Sequence, residues 1–327
     1  MSRWVRTLAM VVMIGAGTAI ATPHSVIAAS DEDPIALLIG LKGKVEVLPS
    51  GTKQTERAAL GRGLMKGDRV NVAPGASATL FFNDGNVIEL SEKSSIAVNG
   101  RPSKKAGVSS AAISADIFKS ASRPIAAGSR ETGLVALAPM RGSGDEEPII
   151  RSPRRTDLLS DRPTLAWRAV DGATRYRITV SGDDGELWRR ETNSTALPYP
   201  KEAQSLPRGV EMLWEIEALS DAGSLRQDAT TIRVITTDDA NHVNAQVASI
   251  LETTGGDQQA ASRYLAGSYL AGRGLYADAE RQFQALSTMD PNAPGPHQAL
   301  GGVYDAIGLK ALATAEQKKA QALSREP

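Results

Sequence analysis

The spacing of apolar residues limits the fold of this chain more than any single motif does. From Ile35 to Val98, and again from Ile149 to Thr236, apolar residues come in short alternating runs that Gly, Pro, Asn or Asp interrupt about every ten residues. This pattern is typical of antiparallel strands in a sandwich or barrel. After Asp238 the sequence becomes rich in Ala, Leu, Gln, Arg and Glu, which favour helices. We therefore expect two all-β regions followed by an all-α region.

The segment FFNDGNVIEL, residues 81–90, predicts a β-hairpin. Asp84 and Gly85 at its centre tolerate the positive φ angles that tight hairpin turns need. Because successive side chains of a strand point to opposite faces, Phe81 and Phe82 lie on different sides of the sheet. We expect the pair to pack on both sides of the sheet, and the alternative is that one of the two rings is exposed as a ligand platform.

The N-terminus has the composition of an export signal. Arg3 and Arg6 precede an apolar run from Leu8 to Ala21, and small residues follow. The predicted signal peptide covers residues 1–29, with the mature chain starting between Thr22 and Ser30, and an uncleaved membrane anchor is the alternative. No later stretch is long and apolar enough to cross a bilayer. The product is therefore expected to be periplasmic or secreted, with no stable membrane span after cleavage.

Glycine, aspartate and apolar residues at set positions of the first β region carry a family resemblance. They are Gly43 and Val45, Ala59, Gly61 and Leu64, Gly67 and Asp68, Ala78 and Leu80, Asp84 and Gly85, Ile88 and Leu90, and Ser94 with Ile96. This order resembles the FecR-type periplasmic domain, over residues 34–98. In the founding regulators that domain is joined to an inner-membrane helix and a cytoplasmic anti-sigma segment. Since no segment precedes the export signal here, we expect only the fold and a role in envelope contacts to carry over.

The second β region, residues 149–237, has a different pattern of aromatic and glycine residues. The pattern consists of Pro163, Thr164, Leu165 and Trp167, then Gly172 and Ala173 before Tyr176, Ile178 and Val180, and later Trp214, Ile216 and Ala218. It resembles a fibronectin type III or related immunoglobulin-like sandwich. The resemblance implies that Trp167 and Trp214 lie in the core and that Asp183, Asp184 and Gly185 turn a hairpin.

Two segments of the helical region, residues 238–327, repeat at a spacing of 34 residues. Gly267 pairs with Gly301, Leu270 with Tyr304, Gly274 with Gly308 and Ala279 with Ala313. The repeat resembles the tetratricopeptide repeat, in which small residues let two antiparallel helices approach, although Arg263 and His297 replace its early tryptophan. Since two copies are fewer than an array needs, we expect a preceding helix, near Ala240 to Leu251, to cap them.

The tetratricopeptide-like resemblance also implies a binding surface. The first helix of each copy would turn four side chains toward the concave groove that such repeats use for extended peptides: Tyr264, Ser268, Gln298 and Asp305. A solvated helix face is the alternative.

Residues 99–148 are rich in Ser, Ala, Gly, Lys and Arg and predict a flexible linker, with a short ordered piece at GLVALAPM. The basic cluster of Arg101, Lys104 and Lys105 could touch anionic lipid or glycan, and a solvated linker is the alternative. The predicted fold class is thus a multidomain chain, with an all-β N-terminal domain and a β-sandwich followed by an all-α helical repeat.

Composition excludes several classes of site and partner. The chain contains no cysteine, which removes disulfides, thiol catalysis, zinc–thiolate sites and the lipid-bearing cysteine of a bacterial lipoprotein. Its 37 acidic and 37 basic residues balance, so no global field favours nucleic acid as a partner. A chain of 327 residues can bury adequate hydrophobic cores without disulfides.

The sequence predicts no catalytic, cofactor or metal site. His24, His242 and His297 lie in different elements, so they do not form a ligand cluster. The acids of the pairs 183–184 and 238–239 are adjacent in sequence, and adjacent side chains of a strand point different ways. They would therefore not face each other as a catalytic pair, and DDG is an ordinary turn composition. The segment GSGDEE lacks the ending of a phosphate-binding loop, and no Gly-x-Ser-x-Gly elbow occurs. We therefore expect a protein that is not an enzyme.

These features predict a non-catalytic exported envelope protein that acts as a binding or scaffolding adaptor. Its FecR-like and helical-repeat modules, joined by the tether, would capture an envelope protein or peptide, with glycan as a further candidate, through a raised effective concentration. One alternative is a periplasmic signal relay between an outer-membrane contact and a membrane partner. Another is an enzyme that acts on envelope glycan.

Overall fold

The first β region forms two antiparallel sheets in a computed structural model that describes residues 33–99, 108–109, 113–123, 125 and 147–325. Its strands are β1 (Ala36–Lys42), β2 (Val45–Leu48), β3 (Glu56–Arg57), β4 (Gly63–Leu64), β5 (Arg69–Val72), β6 (Ser77–Phe82), β7 (Val87–Leu90), β8 (Ser95–Ala97) and β9 (Val108–Ser109). The strand orders are β4-β1-β6-β7-β9 and β3-β2-β5-β8. Alternate side chains of both sheets, among them Leu38, Val70 and Leu80, meet in one core between them.

The predicted hairpin is formed by β6 and β7. Leu80 pairs with Ile88 across the two strands, and Gly85 in the turn has a φ of 89°. Phe82 points into the core between the sheets, whereas Phe81 points to the opposite face and is fully buried there. The two-sided packing predicted for this pair is therefore confirmed.

The second β region is a sandwich of two unequal sheets. Its strands are β10 (Ile150–Ser152), β11 (Thr156–Leu158), β12 (Thr164–Trp167), β13 (Arg175–Gly182), β14 (Gly185–Thr192), β15 (Ala196–Pro198), β16 (Glu211–Ser220) and β17 (Gly223–Val234). A three-stranded sheet, β10-β12-β15, faces a five-stranded sheet, β11-β17-β16-β13-β14. Trp167 and Trp214 are buried in the core that the sheets share, as predicted, and the turn at Asp183 and Asp184 joins β13 to β14.

In the part of the chain that the structure describes, one helix lies between the β regions in sequence and five follow the sandwich. They are α1 (Ala115–Ser122), α2 (Thr237–Thr254), α3 (Ala260–Gly272), α4 (Tyr276–Met289), α5 (Pro294–Ala306) and α6 (Lys310–Arg325). Helices α3 and α4 form one hairpin and α5 and α6 a second, and their turns contain Gly274 and Gly308 with φ angles of 76° and 81°. The predicted cap is part of α2, which packs through Val243 and Ile250 in the same core as α3.

The close packing of the two helices in each repeat copy explains why glycine occurs at equivalent positions of the two copies. A Cβ at Gly267 would lie 2.7 Å from the ring of Phe283, and one at Gly301 would lie 3.0 Å from the side chain of Gln317. The missing side chains therefore let the two helices of each hairpin approach. The predicted fold class, an all-β domain and a β-sandwich followed by an all-α helical repeat, is confirmed.

Helix α1 lies inside residues 99–148, where the sequence predicted a flexible linker. Its apolar side chains Ile117, Phe118 and Ala121 fall on one helical face and are buried. This part of the predicted linker is thus a packed structural element. The predicted signal peptide, His24, the basic cluster and the segment GLVALAPM lie outside the described residues.

One hydrophobic core joins the first β domain to the helices. Along β1 the side chains of Ala36 and Leu38 point into the β core, while Leu37 and Ile39 point to the other face and pack with the helices. On that face the rings of Phe81 and Phe118 meet edge to face, with centroids 5.3 Å apart. The first β domain and the helical repeat therefore share buried surface.

The sandwich is joined to the helical repeat by polar contacts at the end of α4. The residue that precedes α4, Leu275, makes no side-chain cap. The buried hydroxyl of Thr156 takes that role: it accepts hydrogen bonds from the backbone N–H of Tyr276, at 2.8 Å, and of Ala277, at 3.4 Å. The same hydroxyl lies 3.1 Å from the carbonyl oxygen of Gly274. The backbone N–H of Asp157 also donates a hydrogen bond to that oxygen.

The second interhelical turn meets the same part of the sandwich. Arg154 donates from Nε to the carbonyl of Ile307, at 3.1 Å, at the end of α5. Its charge is balanced by Asp228, whose carboxylate lies 3.3 Å from the guanidinium. Residues 154–157 thus contact the turns of both helical hairpins, and the described residues from Asp33 onward form one unit.

We expect Thr156→Val to lower the free energy of unfolding by about 2 kcal/mol, because valine keeps the shape but leaves buried N–H groups of α4 without an acceptor. Urea unfolding should be followed by tryptophan fluorescence, which reports the sandwich, and by far-UV circular dichroism, which reports the helices. Both midpoints should fall together. Thr164→Val, at an exposed position of β12, is the matched control and should leave them unchanged. A Thr156→Val protein as stable as the wild type would contradict the capping role.

Candidate functional site

The concave face of the helical repeat is covered by the chain itself. Tyr264 and Ser268, predicted to line an open groove, are both buried. The hydroxyl of Tyr264 donates to the backbone carbonyl of Ala121 in α1, at 3.2 Å. Burial raises the pKa of Tyr264 to about 12, so this hydroxyl stays protonated as a donor.

Close contacts at three glycines mark the path of the covering segments. A side chain at Gly61 would collide with the hydroxyl of Tyr264. On α5, a Cβ at Gly295 would lie 2.6 Å from the carbonyl of Leu60, and one at Gly302 would lie 3.0 Å from Ile125. The prediction that Tyr264 and Ser268 of α3 line an open peptide groove is therefore wrong, because a loop of the first β domain and α1 occupy this face.

The other two predicted peptide-binding residues are not brought together with Tyr264. Gln298 is exposed on α5. Asp305 is partly exposed, and its carboxylate accepts a hydrogen bond from Lys310 Nζ at 2.6 Å. The four residues therefore do not form one continuous groove.

The histidines and the adjacent acid pairs have structural surroundings. His297 is buried, with Nδ1 2.6 Å from Glu316, and His242 is exposed on α2. Asp183 and Asp184 are exposed in the hairpin turn. Asp239 donates a hydrogen bond from its backbone N–H to the hydroxyl of Thr236, the N-cap residue of α2. Within the described residues, no three His, Cys, Asp or Glu side chains group as a metal site would need.

Two carboxyl groups on α4 have environments that catalytic acids also use. Burial raises the pKa of both Asp278 and Glu280. Asp278, however, accepts a hydrogen bond from Arg281 and another from the backbone N–H of Leu159. Glu280 accepts one from the hydroxyl of Tyr304, at 2.9 Å. Asp278 therefore connects α4 to the segment after β11, and Glu280 connects α4 to α5.

Within the described residues, the five-stranded sheet of the sandwich has one covered edge and one open edge. Its edge strand β11 is capped by α4 through the Thr156 contacts, and Ala277 of α4 packs into the sandwich core. The opposite edge strand, β14, has eight residues, six of them exposed. Among them is Leu187, which leaves 43% of its surface open to solvent. The N–H and C=O groups on the outer side of such a strand are free to pair with another chain.

Charged side chains give the β14 edge a distinct pattern. Two adjacent arginines, Arg189 and Arg190, lie between the acids Glu186 and Glu191 along the strand, and Arg189 pairs with Glu186. Across the sheet, Arg177 on β13 lies 2.8 Å from Glu191 and 2.8 Å from Glu217, so part of this charge is neutralised within the sheet. The run of charges is visible in the sequence, but the sequence does not show that β14 lies at the edge of its sheet.

Comparisons with known proteins return distant matches among solved structures. No family model and no curated protein sequence matches the chain. The fibronectin type III domain of the human collagen alpha-1(XX) chain is 16% identical, with a TM-score of 0.23, and covers 30% of this chain and 94% of that domain. The FN1–FN3 domains of chicken CNTN1 are 13% identical, with a TM-score of 0.20, over 61% of this chain and 56% of theirs. Because both TM-scores are low, the description of the sandwich rests on its own strand topology and core.

Glu280→Gln tests whether the buried carboxyl opposes folding. The pKa of Glu280 is raised in the folded state, so its contribution to stability is full below the unfolded pKa and is lost as the pH rises through the folded pKa. Glutamine removes the charge and keeps an oxygen for the Tyr304 hydroxyl. We expect urea unfolding to show a variant more stable than the wild type near neutral pH, with the gain disappearing below the unfolded pKa. Glu202→Gln, at an exposed site, should show no such gain, and a pH-independent gain would contradict the assignment.

Proposed function

We propose that this chain is exported to the cell envelope, where it acts as a non-catalytic adaptor that binds an extended segment of a partner protein along β14. The export-signal composition of residues 1–29 and the FecR-type pattern of residues 34–98 support the location. Among the described residues, no helix is both long and apolar enough to cross a membrane.

The open edge of the five-stranded sheet carries this proposal. An extended peptide adds to a free edge by main-chain hydrogen bonds, and alternate side chains then set specificity. Edge strands that accept no partner are usually very short, covered, bulged or charged, and β14 carries charges and a register shift beside Leu187 but is neither short nor covered by the described residues. The strand β14 has eight residues and is largely exposed, and Leu187 adds an apolar contact.

The charges on β14 favour a partner segment with an acidic residue at the position opposite Arg190. Opposite charges directly across a strand pair are favourable, and like charges are unfavourable. Glu186 pairs with Arg189 and Glu191 pairs with Arg177, so the charge that a partner strand would meet is Arg190, which would need an acid opposite it. The same charges hinder pairing with unselected chains, which supports a specific adaptor.

The coupling of the modules also supports an adaptor. The helical repeat is fixed to the first β domain by a shared core and to the sandwich by residues 154–157. A strand bound at β14 would consequently have a defined orientation relative to the helices. This arrangement replaces the tethered, bivalent capture that the sequence suggested.

Site-specific photocrosslinking in envelope preparations tests this proposal. A photoreactive residue at Leu187 should give a discrete covalent adduct, whereas one at Lys318, exposed on α6, should not. Arg190→Glu should reduce the adduct yield roughly tenfold, because a favourable cross-strand pair becomes a repulsive one. Fractionation should place the protein in the envelope and a form lacking residues 1–29 in the cytoplasm. Equal adducts from Leu187 and Lys318, or none from Leu187, would overturn the β14 site.

A further inference from the structure

A polar cavity lies where α1 meets α2 and the C-terminal end of α3. Its volume is about 510 Å³, which is within the range of small-ligand sites. Helix α1 contributes Asp116 and Lys119, and Arg123 follows at its end. Tyr269 and Arg273 contribute from α3 and the residue after it. None of these residues belongs to β14, so the cavity is independent of the proposed adaptor edge.

The wall of this cavity contains a buried hydroxyl without a partner. Tyr269 exposes only 2% of its surface, and its hydroxyl has no hydrogen-bond partner among the described residues. The charges of Arg273 and Asp116 both act on this hydroxyl. Tyr269 and both of these charged residues line the cavity. A buried hydroxyl without a partner is unfavourable, so a ligand oxygen that accepts its proton would relieve that cost.

The charge around the cavity is mainly positive. Lys119, Arg123 and Arg273 are exposed at its border, and within the described residues none of them forms an ion pair. Asp116 is the one acidic side chain among the described lining residues. Burial raises the pKa of Tyr269, so its hydroxyl is a donor at neutral pH. Cationic and donor groups that converge on a concave surface attract anions.

The geometry points to a binding site for a small organic anion in this cavity. A carboxylate or phosphate oxygen of the ligand would accept a hydrogen bond from Tyr269 and pair with Arg273, while Lys119 and Arg123 hold the ligand at the border. Asp116 would accept from a hydroxyl of the same ligand. Because α1 supplies part of the site, an occupied site stabilises the position of α1 against the helical repeat.

Isothermal titration of the full chain tests the site, with inorganic phosphate, glycerol 3-phosphate and succinate as separate probes. We expect saturable binding of at least one probe. Binding of glycerol 3-phosphate without succinate assigns a phosphate-bearing ligand, and the reverse assigns a carboxylate. Arg273→Gln and Lys119→Gln should each weaken binding roughly tenfold, and Tyr269→Phe severalfold, because each removes one donor.

The control is Arg69→Gln, an exposed arginine on β5 that does not line the cavity, which should bind as the wild type does. Far-UV circular dichroism should show that each variant is folded. Lys119 is exposed, so its substitution tests the site even where a change at Tyr269 disturbs packing. No saturable heat with any of the three probes, or cavity variants that bind like the wild type, would overturn the inference. Neither result bears on β14.

Discussion

The contact of residues 154–157 with both interhelical turns determines how the sandwich and the helical repeat are arranged. Thr156 caps α4 from outside the helix, and Arg154 bonds the carbonyl that ends α5. Backbone groups at helix ends need partners when they are buried, so neither module is fully satisfied without the other. The shared core around Phe81 and Phe118 fixes the first β domain to the helices by burying apolar surface. Together these contacts make one structure from three segments that the sequence presents as separate modules.

Most of the architecture follows from local sequence patterns, because strand alternation and the 34-residue spacing depend on neighbouring residues. The hairpin at Asp84 and Gly85 was predicted in this way, whereas the core positions of Trp167 and Trp214 and the cap helix were implied by the resemblances to a fibronectin type III sandwich and a tetratricopeptide repeat. The covered groove was not, because the pattern places Tyr264 on the inner face of a repeat but does not show what lies against it. Helix α1 is short and sits among Ser, Ala and Gly, so composition hid its apolar face. The capping by Thr156 joins residues far apart in sequence, which no local pattern indicates.

These differences change where binding is expected. In an isolated helical repeat the concave face is the natural peptide site, but here the first β domain and α1 use it for folding. Exposed backbone is instead found at β14, while the cavity beside α1 combines positive charge with the free hydroxyl of Tyr269. A partner strand and a small anion would therefore bind to one connected body, in which α1 lies between the first β domain and the repeat.

The central claim, that the first β domain and the helical repeat form one body through their shared core, is tested most directly by electron–electron spin distance measurement. The chain contains no cysteine, so cysteines introduced at the exposed positions Lys53 and Lys318 would carry the only labels, one on the first β domain and one on α6. The structure predicts a single narrow distance distribution. A broad distribution, as domains on a flexible linker produce, would contradict it.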